Sequence, residues 1–128
     1  MALAVYFEAR GEEVAGQLAV AHTVINRVES TEYPDTVCDV VKQGLYRGTN
    51  PVRNKCAFSF WCDGKPEYIA NQKAWAQAWG ISMLVMMGAT EDQTLGSTHY
   101  HADYVRPGWA EESQLLVEIG NHRFYRLQ

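Results

Sequence analysis

The sequence predicts an α+β fold that is mainly helical. Two long stretches, residues 14–28 and 71–87, repeat apolar residues at helical spacing. A third, residues 2–9, is a short Ala-rich apolar run that reaches a helix breaker at Gly11. Segments with strand character are brief, at residues 56–62, 98–101, 115–119 and 122–127. With 128 residues, 47% of them hydrophobic and 20% charged, the chain fits one compact unit with a real core. Residues 1–128 are therefore expected to form a single domain.

In order along the chain, Leu3, Val5, Tyr6 and Phe7 give the first helix its apolar surface. Glu12 and Glu13 follow Gly11 and suit the positive end of the next helix, whose apolar positions are Val14, Leu18, Ala21, Ile25 and Val28. His22 and Asn26 lie four apart and share a face of it. Thr36 with Asp39 resembles a capping box with Asp in place of Glu. It opens a short helix with Val37, Val40 and Val41 on its apolar face and Gly44 as its stop. Residues 45–55 contain Gly48, Asn50-Pro51 and three basic residues, and read as an exposed loop. In the strand-like segment 56–62, Cys56, Phe58, Phe60 and Cys62 face one side and Ala57, Ser59 and Trp61 the other, until Asp63-Gly64 ends it. The stripe Ala74, Trp75, Ala78, Trp79, Ser82 and Met86 of the last long helix reads as core, with Gly88 ending the helix. Residues 90–96 are polar loop and residues 106–109 a turn. Gly120-Asn121 joins the final two strands as a hairpin.

Composition excludes several classes. The net charge is −4 with acids and bases interspersed, which leaves no basic stripe for nucleic acid or anionic lipid. No apolar run approaches the ~20 residues of a membrane span. No charged leader with a hydrophobic core and a cleavage site is present at the N-terminus. A removed leader, or another route to the target, is therefore expected. Three cysteines, Cys38, Cys56 and Cys62, allow at most one internal pair. A Cys56–Cys62 pair would need its segment to bend. Cys38 with Cys56, or buried free thiols, are equally open.

The chemistry is expected at Glu8. Apolar residues precede it and an apolar helix follows, so its carboxyl can sit half-buried at a helix end beside a cleft. Such surroundings raise a carboxyl pKa and keep the group protonated, as a general acid requires. The plain alternative is a solvated carboxylate paired with Arg10. Two other readings compete with a Glu8 glycosidase. His99 and His101, two apart on a strand, could join His122 or Asp103 in a zinc site of an amidase or peptidase. Trp61, Tyr100 and Trp109 could instead form the wall of a non-catalytic carbohydrate-binding module.

The run Val5-Tyr-Phe-Glu8-Ala-Arg10-Gly11-Glu12, then Gly16-Gln17, Ala19-Val20-Ala21 and Asn26-Arg27, resembles the opening signature of the SleB/CwlJ-type cell-wall hydrolases. Tyr33-Pro34-Asp35-Thr36-Val37-Cys38, Phe58-Ser59 with Asp63-Gly64, and the ending from Ile119 to Tyr125 resemble its later blocks in the same order. Ala57 departs from the pattern, where Gln is expected before Phe-Ser. The resemblance implies a lysozyme-like, mainly helical fold with a small β element beside a cleft. It also implies cleavage of peptidoglycan glycan strands, with the catalytic glutamate at Glu8.

No second carboxylate stands at a fixed spacing from Glu8. A lytic transglycosylase is therefore expected, with Glu8 as acid and then base, giving 1,6-anhydro-muramoyl ends without metal or other cofactor. The alternative is a water-consuming muramidase, which needs a second carboxyl group. Glu12, Asp63 and Asp103 are the candidates for it, although Glu12 also suits a helix N-terminus or a salt bridge to Arg10. Ser59, Tyr100, His101 and Trp109 are the candidate substrate contacts, and Tyr100 could equally bond the Glu8 carboxyl. The expected partner is peptidoglycan, met by a monomer at the bacterial wall, outside the cytoplasm. The resemblance further implies a phage lysin or the catalytic domain of a spore-cortex enzyme.

Overall fold

Helix α1 (Ala2–Ala9) has almost no face left for water, and the computed structural model, which describes residues 1–127, is built around it. Ala4, Val5, Tyr6 and Ala9 are all buried, as expected of a helix that is apolar all round. On one side, Ala4 packs with Val24, Val40, Val41, Phe58 and Phe60. On the other, Val5 and Tyr6 pack with Ala21, Ala78, Ile81 and Val85. The first helix thus joins two halves of the core. Its last turn, which carries Glu8, reaches the surface where they meet. Gly11 (φ +94°) then reverses the chain into α2 (Val14–Glu29), whose N-cap is Glu13.

The capping motif at Thr36 forms: its Oγ1 accepts from the Asp39 amide at 3.1 Å. The helix it starts, α3 (Val37–Val41), stops before Gly44, and Gly44 begins a strand. Residues 45–55 are not a loop. They belong to a hairpin of β1 (Gly44–Arg47) and β2 (Asn50–Cys56), which turns at Gly48 (φ +62°). Most of this ribbon is exposed, so it has no buried face to print an alternating pattern on the sequence. The strand expected at 56–62 is also absent. The chain bends after Cys56 into a 3-10 turn, Ser59–Cys62, a unit too short to show its own period. The bend brings Cys56 and Cys62 together as a disulfide. Cys38 is free and exposed, not a buried thiol. Trp61 is engaged within the fold: its Nε1 donates to Tyr46 Oη at 2.9 Å, and the Lys42 ammonium lies over its ring.

Helix α4 (Gln72–Met86) starts where Asn71 Oδ1 accepts from the Ala74 amide. Its buried face is Ala78, Ile81, Ser82 and Val85. This is a rotation of the expected stripe: Trp79 is 51% exposed and Met86 56%. These two form an apolar surface groove with Trp75, Met83 and residues 1–3. Small Ala and Ser positions let α4 approach α1 and α2 closely, and the bulky residues are displaced to the rim. The following loop is fixed to α2. Asn26 Nδ2 and the backbone amides of Thr94 and Gly96 all donate to the Asp92 carboxylate.

The second sheet has the order β3 (His99–Ala102), β5 (His122–Leu127), β4 (Ser113–Ile119), all antiparallel. Its register pairs Tyr100 with Phe124 and Ala102 with His122. Residues 106–109 lead into a short helical turn, α5 (Gly108–Glu111), in place of a simple turn. Among the described residues, no helix is long and apolar enough to cross a membrane.

The rotated stripe makes a direct prediction. Ile81→Ala should lower the unfolding free energy by about 2–5 kcal/mol. Trp79→Ala should lower it by about 1 kcal/mol or less. Urea denaturation of both variants checks this; a larger loss at Trp79 would return that ring to the core.

Candidate active site

Glu8 stands on the last turn of α1, half-buried, and Tyr100 of β3 reaches across to it. The Tyr100 hydroxyl donates to Glu8 Oε1 at 2.6 Å. A bond this short is typical of a hydroxyl on a charged or strongly polar oxygen. Burial raises the Glu8 carboxyl above its ordinary value, opposed by the Tyr100 hydrogen bond and the Arg27 charge. Burial, together with the facing Glu8, pushes the Tyr100 phenol well above its own value. The phenol therefore keeps its proton and remains a donor.

Arg27 is the buried cation behind this pair. It is 8% exposed, donates from Nε to the Thr98 carbonyl at 2.7 Å, and lies over the rings of Tyr33 and Phe58. Its position late in α2 follows from the helix register: Ala19, Val20, Thr23 and Val24 bury one face, and Arg27 continues it toward the sheet. His99, the neighbour of Tyr100, is pushed down to about 4 by burial and by Arg27, so its ring is neutral near pH 7.

Two hollows flank the Glu8–Tyr100 contact. Glu8 borders one of about 270 Å³, lined by Arg10, Gly11, Glu12, Ala102, Tyr104, Asn121 and His122. Tyr100 borders a larger one of about 490 Å³, lined by Arg27, Tyr33, Gln43, Gly44, Ala57, His99 and Trp109. The larger hollow offers aromatic faces beside polar groups, the mixture a sugar ring needs from a binding wall.

Of the candidate substrate contacts, Tyr100 and Trp109 lie at the larger hollow. Trp109 rests edge-on against His99 and His101. His101 is buried, with Nδ1 2.7 Å from the Ala102 carbonyl and Nε2 2.8 Å from Tyr125 Oη. Both its nitrogens are thus engaged inside the fold. Ser59 is exposed on the 3-10 turn and lines neither hollow. Ala57, where the family pattern expects Gln, does line the larger one.

Of the candidate second carboxylates, only Glu12 shares a hollow with Glu8. It is not paired with Arg10. His122 Nδ1 lies 3.0 Å from its Oε1, and Asn121 donates to it from the backbone and from Nδ2. Arg10 instead donates to Tyr6 Oη at 2.7 Å. Asp63 closes a turn by accepting from the Lys65 amide, and Asp103 is exposed after β3. Neither borders the hollows. Among the described residues, no three His, Cys, Asp or Glu side chains converge in a metal-binding group, so His99, His101, His122 and Asp103 do not form the ligand set weighed for zinc.

Arg27, Tyr33, Gln43 and His99 line the larger hollow without having been singled out as its walls from the sequence. For Arg27 the available signal was an arginine within the apolar period of a helix. For Gln43 there was none.

The raised Glu8 carboxyl sets a stability prediction. A carboxyl whose folded value lies above its unfolded one favours the fold while protonated, and that contribution is lost as pH rises through the folded value. Glu8→Gln should therefore be more stable than the parent at pH 8 and lose that advantage toward pH 4. Thermal melts across pH check the sign; equal curves at pH 8 would contradict it.

Comparison with known proteins agrees with this architecture. A family model described as Cell Wall Hydrolase matches residues 11–125, with Glu8 just ahead of the matched span. The spore cortex-lytic enzyme of Halalkalibacterium halodurans is 32% identical over 97% of this chain and 33% of its own length. That of Bacillus subtilis is 44% identical over 97% of this chain and 35% of its own. The chain thus spans about a third of the length of these curated relatives. The catalytic domain of the germination-specific lytic transglycosylase SleB from Bacillus anthracis superposes with a TM-score of 0.69 at 30% identity, covering 98% of this chain and 90% of that domain. By its family match, its relatives and its shared fold, this chain belongs to the cell wall hydrolase family.

Proposed function

We propose that residues 1–128 act as one catalytic domain that cleaves peptidoglycan between N-acetylmuramic acid and N-acetylglucosamine, as a lytic transglycosylase. The observation that carries this is Glu8: a half-buried carboxyl with a raised pKa and one neutral donor, Tyr100, and no unengaged carboxylate in its hollow. The names of the related proteins, spore cortex-lytic enzymes and a lytic transglycosylase, support the same chemistry.

The steps balance without water. Protonated Glu8 gives its proton to the bridging oxygen, and the bond from C1 of the muramoyl ring to that oxygen breaks. The leaving N-acetylglucosamine departs with a free 4-hydroxyl. Glu8, now ionised, is held by the Tyr100 hydroxyl and faces the Arg27 charge. It takes the proton from the C6 hydroxyl of the same muramoyl ring, O6 closes onto C1, and Glu8 is protonated again. Burial favours the acid form. The Tyr100 bond and Arg27 limit that preference, so one carboxyl can give and then accept.

A muramidase needs a second carboxyl group to activate water. Glu12 is the candidate that shares the Glu8 hollow, but Asn121 donates to both of its oxygens and His122 Nδ1 lies 3.0 Å from one of them. The domain acts on the wall outside the cytoplasm. The relatives named above are spore enzymes and none is a phage lysin, so no phage origin is proposed.

Mass spectrometry of peptidoglycan digests tests the reading. Anhydro-muramoyl ends are expected; reducing muramic ends would make the domain a muramidase. Glu8→Gln keeps the shape and removes the proton, and should lower the cleavage rate by about 10²–10⁴-fold. Undiminished cleavage by that variant would remove Glu8 from the mechanism.

A further inference from the structure

Glu12 is tied more tightly than a helix-end carboxylate requires. Oε1 lies 3.0 Å from His122 Nδ1 and accepts from the Asn121 amide at 3.2 Å, while Oε2 accepts from Asn121 Nδ2 at 3.3 Å. The turn is shaped to receive it. A Cβ on Gly120 would come within 3.0 Å of Oε2, and Gly120 has φ +60°. A carboxylate four residues beyond Glu8 thus clasps the tip of the β4–β5 hairpin, more than a hundred positions along the chain.

His122 carries the clasp onward. Its ring stands edge-on to Tyr100, with centroids 5.2 Å apart and planes at 89°. It begins β5, the strand that pairs with β3 and carries Phe124 beneath Tyr100. The Tyr100 hydroxyl is therefore aimed at Glu8 from two sides, by strand pairing and by the His122 ring.

We propose that Glu12 and His122 are a positioning pair for Glu8, acting through Tyr100. This rests on the reading of Glu8 as the acid. Glu12 is then neither a second catalytic carboxylate nor a mere helix-end charge. It holds the hairpin tip so that the His122 ring fixes Tyr100, and Tyr100 in turn fixes which carboxyl oxygen of Glu8 is hydrogen-bonded and which is left for the substrate. The groups that act on His122 are Glu12 at the α1–α2 corner, and Asp103 and His101 on and beside β3. Those that act on Glu8 are Tyr100 of β3 and Arg27 of α2.

The test uses the full chain with Glu12→Gln, His122→Phe, Tyr100→Phe, and the Tyr100→Phe/Glu12→Gln double variant. ¹³C NMR follows the Glu8 carboxyl titration, and kcat and KM are measured on soluble glycan strands. Loosening Tyr100 removes a hydrogen bond that lowers the Glu8 pKa. Glu12→Gln and His122→Phe should therefore move the Glu8 midpoint upward, in the same direction as Tyr100→Phe, and the double variant should move it no further than Tyr100→Phe alone. The kcat should fall by roughly 10–100-fold with KM little changed, as for a misplaced catalytic group. Glu8 midpoints equal to that of the parent in both clasp variants would reduce the pair to a structural staple, whatever the loss of thermal stability. An additive shift in the double variant would equally overturn the route through Tyr100. Glu8→Gln, run alongside, keeps the two questions apart. If it still cleaves, the reading of Glu8 as the acid falls, while the titrations of the other variants still decide whether the clasp aims Tyr100.

Discussion

The site depends on one hydrogen bond, from the Tyr100 hydroxyl to Glu8, made between the first helix and the third strand. A carboxyl withdrawn from water resists ionisation, and the fold needs it withdrawn only in part. The helix supplies the withdrawal, because Ala4 on one side and Val5 and Tyr6 on the other anchor α1 in both halves of the core. The strand supplies the limit, because a neutral phenol that keeps its proton can stabilise the ionised carboxyl without neutralising it. Arg27 acts in the same direction from a buried position. Each support is itself supported. The Thr98 carbonyl fixes Arg27, and the Asp92 loop ahead of β3 is fastened to Asn26 of α2, one residue before Arg27.

The longer helices were legible because each prints a full period on the sequence. Residues 2–9 and 14–28 fall where α1 and α2 lie, and the Thr36 cap forms as read. The misreadings share a cause in length and exposure. The β1–β2 ribbon buries little on either face, so neither strand leaves an alternating pattern, and Pro51 with Gly48 made the segment read as coil. The 3-10 turn at Ser59–Cys62 is shorter than any period could reveal, while Phe58 and Phe60 mimic a strand because both happen to be buried. On α4 the expected stripe held Ala78 and Ser82, which are buried, but it followed Trp79 and Met86 to one side, where close packing selected Ile81 and Val85.

The contact between Glu8 and Tyr100 was legible more than the hollows beside it. Glu8 stands out through the resemblance of its surroundings to the family's opening signature, and Tyr100 as an aromatic that could bond its carboxyl. The role of His101 was not legible, since only the fold shows Ala102 and Tyr125 taking both of its nitrogens. Nor could spacing reveal that Glu12 would meet a residue 110 positions further on rather than Arg10. Contacts between distant segments follow from sheet register, and register here is set by the hairpin at Gly120.

The order of the strands has a consequence for when the domain becomes competent. β3 lies at one edge of its sheet and, among the described residues, pairs only with β5, the last strand of the described fold. A chain that has already formed α1 still lacks the strand that seats Tyr100, so the Glu8–Tyr100 pair cannot assemble until β5 has joined the sheet. Contacts so far apart in sequence also form late in folding. A partly folded molecule therefore carries Glu8 without the donor that holds it, and the site exists only once the whole sheet does.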